Sequence, residues 1–246
     1  MKAIVGYGIV GRATHDALLD YAPVDIYDVK NIDFIVDHTY DVVFVCTPTA
    51  DQSDLEQLAN LLRSLADKCQ IVVVRSTVPV GFFHDQVPDL IHKICYCPEF
   101  LRERHWKMDS RQGKIIVGHD ADIAQFQNLF ADKSVTYMTI HEATILKMMC
   151  NAYAALRVVF ANHVYEVSQA VGADYQNIYG AFQQLDRRDQ DYLDVHESLR
   201  GFGGKCLPKD LEFLINTMQQ LQLPQSLFTS IQQDNTHWPI TVRLDT

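Results

Sequence analysis

Lys2-Ala3-Ile4-Val5-Gly6-Tyr7-Gly8-Ile9-Val10-Gly11 opens the chain and decides its fold. A short apolar strand runs straight into Gly-x-Gly-x-x-Gly, and residues 12–19 continue with helical character. Residues 25–28, Asp-Ile-Tyr-Asp, read as a second strand whose last acid, Asp28, falls 17 residues after Gly11. A lone glycine motif is weak evidence. Strand, glycines, helix, strand and terminal acid in this order form the dinucleotide fingerprint. Gly6, Gly8 and Gly11, with Tyr7, Ile9 and Val10 in the same turn, let the backbone approach a pyrophosphate at a helix N-terminus. Asp28 accepts from ribose hydroxyls and repels a 2′-phosphate, which favours NAD over NADP. The competing reading is a βαβ unit with no ligand.

The next segments extend the sheet. Residues 41–46 (DVVFVC) form an apolar strand ending in Thr47-Pro48-Thr49. Ligands of an open parallel sheet lie beyond the carboxyl ends of its strands, so Thr47 and Pro48 are cofactor candidates. A helix follows over 53–65, with Leu55, Leu58, Leu62 and Leu65 as its inward stripe. Residues 70–75 (QIVVVR) lead into Ser76-Thr77-Val78-Pro79, residues 94–97 (ICYC) into Pro98-Glu99-Phe100-Leu101-Arg102-Glu103, and 114–118 (KIIVG) is a further strand. Only residues 29–40 separate the second strand from the third, short for a full crossover helix.

Composition limits the partners. The 246 residues are 48% hydrophobic and 21% charged, ordinary for a globular chain. A formal net charge of −10 argues against nucleic-acid and anionic-membrane surfaces. The six cysteines show neither a disulfide framework nor zinc-ligand spacing, so the expectation is reduced thiols, no metal and a cytoplasmic setting. No signal peptide precedes the first strand, and no apolar run reads as a membrane span.

From Glu142 to about Val171 the chain reads as one long helix with Ala, Leu, Met and Val on several faces, the signature of a helix that spans domains or packs on a second chain. It carries Lys147 and Asn151 four residues apart, hence on one face. A second helix is expected over 173–185. The loop Gly201-Phe202-Gly203-Gly204-Lys205-Cys206 then meets a helix opening at Leu207-Pro208-Lys209-Asp210. Proline suits a first helical turn. A cysteine at the positive end of a helix dipole, beside Lys205 and Lys209, favours its thiolate, although most lone cysteines are simply small buried residues.

Six motifs in this order, GYGIVG, CTPT, STVPVG, PEFLRE, KMMCN and GFGGKCLPKD, resemble the UDP-glucose/GDP-mannose dehydrogenase family over residues 1 to about 236. The LPKD ending is more similar to the UDP-glucose branch than to the UDP-N-acetylmannosamine branch. The resemblance implies an α/β architecture: a doubly wound Rossmann NAD-binding domain (1–140), then a long central helix and a small all-α dimerisation domain (141–236), with a tail at 237–246. It implies oxidation of UDP-glucose to UDP-glucuronate, four electrons passing to two NAD, through a Cys206 thiohemiacetal and thioester. It also implies a homodimer built through the central helix.

Residue by residue, Lys147 and Asn151 match the pair that steadies the oxyanion-like oxygen, and Asp210 with Thr77 the groups that move protons through an ordered water. Glu99 matches the carboxylate of thioester hydrolysis, and Glu103 one near the nicotinamide. Phe100, Leu101 and Arg102 match a substrate loop, joined by Phe202 and Gly203. Lys209 falls with the cofactor contacts. Arg188, with Arg187 nearly as good a match, corresponds to an arginine that reaches a neighbouring subunit's substrate. Family members continue into a UDP-binding domain, which the resemblance implies is absent from a chain stopping at Thr246. Two rivals are a non-catalytic or partner-dependent NAD- or sugar-binding remnant, and a β-hydroxyacid dehydrogenase, which shares the fingerprint and a Lys-x-x-x-Asn helix but needs no cysteine loop.

Overall fold

In a computed structural model, the chain forms two units, Met1–Lys147 and Met148–Thr246. The structure describes residues 1–17, 23–28, 38–102, 105–112, 114–120, 134–185, 195–197, 200–204 and 206–240.

The first unit is built on a seven-stranded sheet. Its elements are β1 (Lys2–Val5), α1 (Ile9–Ala17), β2 (Asp25–Tyr27), β3 (Tyr40–Val45), α2 (Gln52–Ser64), β4 (Cys69–Val74), α3 (Phe82–Gln86), β5 (Ile94–Tyr96), α4 (Trp106–Gln112), β6 (Ile115–Gly118) and β7 (Val135–Met138). The strand order is β2-β1-β3-β4-β5-β6-β7. The first five strands are parallel; β1, β3, β4 and β5 are mostly buried apolar runs, whereas the edge strand β2 is largely exposed. Ile4, Phe44, Val73, Cys95 and Val117 form the middle of this core. β1 crosses to β2 on one side while β3 crosses to β4 on the other. Right-handed crossovers therefore place α1 and α2 on opposite faces, and the direction of winding reverses between β1 and β3. That reversal is where an open α/β sheet leaves a crevice at its carboxyl edge.

Two features depart from the pattern of the strands alone. β6 pairs with β5 antiparallel, through Tyr96 and Gly118, and β7 then continues parallel to β6. Residues 135–138 (VTYM) are too short and mixed to announce a strand; pairing with β6 over Ile115–Gly118 makes them one.

Helix boundaries follow capping chemistry. At α2, Asp51 accepts from the Asp54 N–H at 2.9 Å, so the helix starts one residue earlier than its leucine stripe suggests. The long helix, α5, spans Ile140–Ala170. It opens on a reciprocal capping box: the Thr139 N–H donates to Glu142 Oε2 at 2.8 Å, and the Glu142 N–H donates to Thr139 Oγ1 at 3.2 Å. By length and composition α5 is apolar enough to cross a membrane, which corrects the expectation that no run is. The Lys147 side chain, 3% exposed and ion-paired with Glu99, marks this part of α5 as a protein core helix.

In the second unit, the later turns of α5 join α6 (Tyr175–Leu185), α7 (Leu207–Gln220) and α8 (Ser226–Asn235). Small residues Ala152 and Ala155 let Phe202, Leu211, Ile231 and Trp238 close on α5. Trp238 is buried in this core, and Ile240, though exposed, bridges Gly201.

Candidate active site

The glycine turn at the end of β1 is shaped by contact. Gly6 has φ +87°, and a Cβ there would lie 2.6 Å from Cys46 O; one on Gly11 would lie 2.1 Å from Gly6 O. Both positions exclude side chains because the turn packs on its own backbone and on β3. A Cβ on Gly8 would meet nothing within 4 Å. That open space lies at the N-terminus of α1, where backbone N–H groups and the helix dipole favour an anion. Tyr7 turns aside, its OH hydrogen-bonded to His15 Nδ1 at 2.8 Å. Ile9 and Val10 begin α1, and Asp28 follows β2 exposed at its carboxyl end.

The ends of β3 and β4 are tied together. Ser76 Oγ donates to Thr47 O at 2.7 Å, and Thr49 Oγ1 donates to Thr77 O at 2.7 Å. Pro48 lies between these two anchors. Thr47 Oγ1 is shielded from solvent with no hydrogen-bond partner among the described residues. A buried hydroxyl left this way costs stability unless a ligand completes it. The Thr47 hydroxyl and the glycine turn open at Gly8, both beside the reversal point, fit a dinucleotide.

The carboxylate Glu99 sits beyond β5 and is nearly buried. Its Oε1 accepts from Lys147 Nζ at 3.2 Å, and its Oε2 from the Leu101 N–H at 2.7 Å. Burial pushes the carboxyl up, but the Lys147 ammonium, the Leu101 N–H and the Arg75 guanidinium outweigh it and hold the group below its ordinary range. Lys147 Nζ also lies over the Phe100 ring, 5.6 Å from its centre. Arg102 is bound to Asp109 on α4: Nη2 to Oδ1 at 2.7 Å, Nε to Oδ2 at 3.0 Å, and its N–H to Oδ2 at 2.8 Å. Those bonds hold the Asp109 carboxyl low. Glu103 lies outside the described residues.

Arg75 is the group sequence reasoning passed over here. It closes the 70–75 run after the apolar residues 71–74, an end where a charge would ordinarily face solvent. It is instead buried, donates from Nη1 to Cys97 Sγ at 3.2 Å, and carries the only charge in a row of strand ends with Cys46 and Cys97 among the described residues. Burial pushes the Cys46 thiol up to about 11 despite Arg75 and Thr14.

In the second unit, Cys206 occupies the N-cap of α7 and is exposed, with Pro208 in the first turn. The Asp210 N–H donates to Cys206 O at 2.9 Å, closing that turn. The Asp210 carboxyl is fully buried. It accepts from Asn151 Nδ2, and Lys209 Nζ lies 3.2 Å from its Oδ1. The loop before Cys206 is held by a residue outside every predicted motif. Asn235, at the end of α8, receives the Phe202 N–H on Oδ1 at 2.8 Å and donates from Nδ2 to Phe202 O at 2.9 Å. One asparagine thus replaces a strand partner for the loop, and a lone Asn in a glutamine-rich helix gives no sign of it. Gly203 passes so close to Ile240 that a Cβ would lie 2.1 Å from its side chain. Arg187, Arg188 and Lys205 lie outside the described residues.

Of the predicted set, the structure pairs Glu99 with Lys147 in one unit, and Asn151 with Asp210, four residues after Cys206, in the other. Lys147 and Asn151 are one turn apart on α5.

Residues 28–133 match the NAD-binding domain of the UDP-glucose/GDP-mannose dehydrogenase family, and residues 141–237 match its central domain. The chain belongs to that family. It is 29% identical over 212 residues to UDP-glucose 6-dehydrogenase YwqF of Bacillus subtilis, covering 78% of this chain and 47% of the relative. It is 27% identical over 249 residues to a UDP-glucose 6-dehydrogenase of Streptococcus pneumoniae, covering 95% of this chain and 61% of the relative. Among solved structures, the UDP-glucose dehydrogenase of Pyrobaculum islandicum shares the fold with a TM-score of 0.75 at 23% identity, over 96% of this chain and 68% of that one. The chain thus spans about half the length of the curated relatives it matches.

Proposed function

We propose that this chain oxidises a nucleotide sugar, UDP-glucose in the first instance, with NAD, and that Cys206 is the nucleophile. The observation that carries this reading is Cys206 standing exposed at the N-cap of α7, whose first turn also holds the buried Asp210 carboxylate bound by Asn151. The nicotinamide, when bound, accepts hydride. The protein's own residues do the rest. Asp210 and Thr77 relay the alcohol proton through water. The Cys206 thiolate, favoured by the helix dipole, adds to the aldehyde carbon as a thiohemiacetal. Lys147 and Asn151 stabilise the negative charge that develops on the sugar oxygen. After the second hydride leaves, the thioester carbon takes up water and Cys206 departs as the thiol. Glu99, kept ionised by Lys147, Leu101 and Arg75, accepts a proton from that water.

Gly6, Gly8 and Gly11 with Tyr7, Ile9 and Val10, together with Asp28, Thr47, Pro48, Thr77, Glu103 and Lys209, bind the cofactor. Phe100, Leu101, Arg102, Phe202, Gly203 and Arg188 bind substrate. The chain acts as a homodimer through α5. Ile145, Met149, Tyr153, Phe160 and Val167 stand exposed on it, within about 80° of arc at 100° per residue. An apolar stripe of that length on one face calls for a partner. Six free cysteines support a reducing, cytoplasmic setting.

The test is NADH formation from NAD and UDP-glucose. The expected yield is two NADH per sugar, lost with Cys206→Ser. Absence of both turnover and NAD binding would sink the proposal; NAD binding with no turnover favours the remnant, and turnover surviving Cys206→Ser favours the β-hydroxyacid dehydrogenase.

A further inference from the structure

Outside every group assigned to sugar oxidation, three ligand-type side chains converge in the first unit. We propose that His84, Asp120 and His141 bind a divalent first-row transition metal of the zinc, cobalt or nickel kind. Their candidate ligand atoms all lie within 4.8 Å of one another. His84 Nε2 is 2.9 Å from Asp120 Oδ2, and the His84 and His141 rings stack with centroids 4.3 Å apart at 21°.

The residues come from separate segments. His84 is on α3, Asp120 is two residues past β6, and His141 is in the first turn of α5. What brings them together is close backbone approach. A Cβ on Gly118 would lie 2.6 Å from the Ala143 Cβ, so only glycine lets the first turn of α5 settle against the end of β6. The Asp120 carboxylate is already oriented, since its Oδ1 accepts from the Ile140 N–H at 3.1 Å. An outer hydrogen bond of this kind fixes the aim of a metal-binding carboxylate. His84 Nδ1 is shielded and has no hydrogen-bond partner among the described residues.

The donor set selects the metal. Two imidazole nitrogens and one carboxylate oxygen suit zinc and its neighbours, whereas magnesium and calcium prefer all-oxygen shells. Tetrahedral ligands on bonds of about 2.0–2.1 Å stand roughly 3.3 Å apart. His84 and Asp120 are already nearer than this, so closure needs only the exposed His141 ring to swing inward. Water completes the shell. The bound metal staples α3, the β6 end and the start of α5, the helix that carries Lys147.

The experiment uses the full chain in a Cys206→Ser background, which removes the exposed thiol as a competing ligand. After treatment with EDTA, zinc is titrated calorimetrically and cobalt by its visible absorption. The expected result is one equivalent bound with micromolar affinity, weakened roughly 30-fold by His141→Ala and by Asp120→Asn. Zinc in excess also raises the midpoint of thermal unfolding. Magnesium at the same concentrations gives neither effect. Because His141 is exposed, its alanine variant retains the apo melting midpoint, so lost binding is not lost folding. Binding only at millimolar zinc overturns the proposal. So does undiminished affinity in both variants, which places the metal elsewhere.

Discussion

The ion pair between Glu99 and Lys147 makes the sharpest prediction about this fold. Both side chains are nearly buried, 10% and 3% exposed, with 3.2 Å between charged atoms. Lys147→Met keeps the length and apolar stem of the side chain while removing its charge. Glu99 is left with the Leu101 N–H and Arg75 against a burial penalty that already opposes ionisation. Removing one partner of a buried pair costs about 3–5 kcal/mol. Two compensating partners remain, so about 3 kcal/mol is expected at pH 8.

The sign of the pH dependence follows from the same contacts. In the parent, Glu99 is held below its unfolded value, so its contribution is complete above the ordinary carboxylate range and is lost as pH falls through the folded value. In Lys147→Met, burial prevails and the folded carboxyl rises above the unfolded value. The variant then recovers toward the parent as pH falls and Glu99 takes up a proton. Urea titrations at pH 8 and pH 5 measure this, with Trp238→Phe in every variant so that Trp106, the remaining tryptophan, reports the first unit. Glu99→Gln combined with Lys147→Met should cost less at pH 8 than Lys147→Met alone, because no buried charge is orphaned. A Lys147→Met loss below about 1 kcal/mol, or one equal at both pH values, would refute the argument.

Four other outcomes are expected. Gly8→Ala should fold with a stability within about 0.5 kcal/mol of the parent yet bind NAD at least roughly tenfold more weakly, while Gly11→Ala, whose Cβ collides with Gly6 O, should be destabilised; paired melts and calorimetry separate the two. Asn235→Ala removes both hydrogen bonds to the Phe202 backbone and should cost about 2–3 kcal/mol by Trp238 fluorescence; no loss would show that the loop is held otherwise. Brief iodoacetamide treatment at pH 8 should label Cys206 before any other thiol by peptide mass mapping, because it alone is exposed and burial pushes Cys46 and Cys69 up to about 11. Metal binding by His84, Asp120 and His141 is tested as described above.

Much of this molecule is legible in its sequence because the strongest signals are local. The glycine turn, the leucine stripe of α2 and the length of α5 each follow from periodicity or from backbone that only glycine permits. The predicted pairing of Lys147 and Asn151 on one helix face needs nothing beyond 3.6 residues per turn. What the sequence does not disclose depends on contacts between distant segments. β7 becomes a strand only by pairing with β6. Asn235 matters because α8 returns to the Phe202 loop. Arg75 is buried because Cys46 and Cys97 flank it on neighbouring strands. The Asp109 carboxylate that binds Arg102 lies seven residues further along the chain. No composition rule distinguishes these residues from ordinary polar surface.

The central claim is that Cys206 becomes covalently attached to an oxidised sugar. Rapid quenching of the chain with NAD and UDP-glucose, followed by intact and peptide mass measurement, tests it most directly. The account predicts an acyl adduct on the peptide containing Cys206 that requires NAD and disappears in Cys206→Ser. Turnover with no adduct on that peptide, or an adduct that persists in Cys206→Ser, would contradict it.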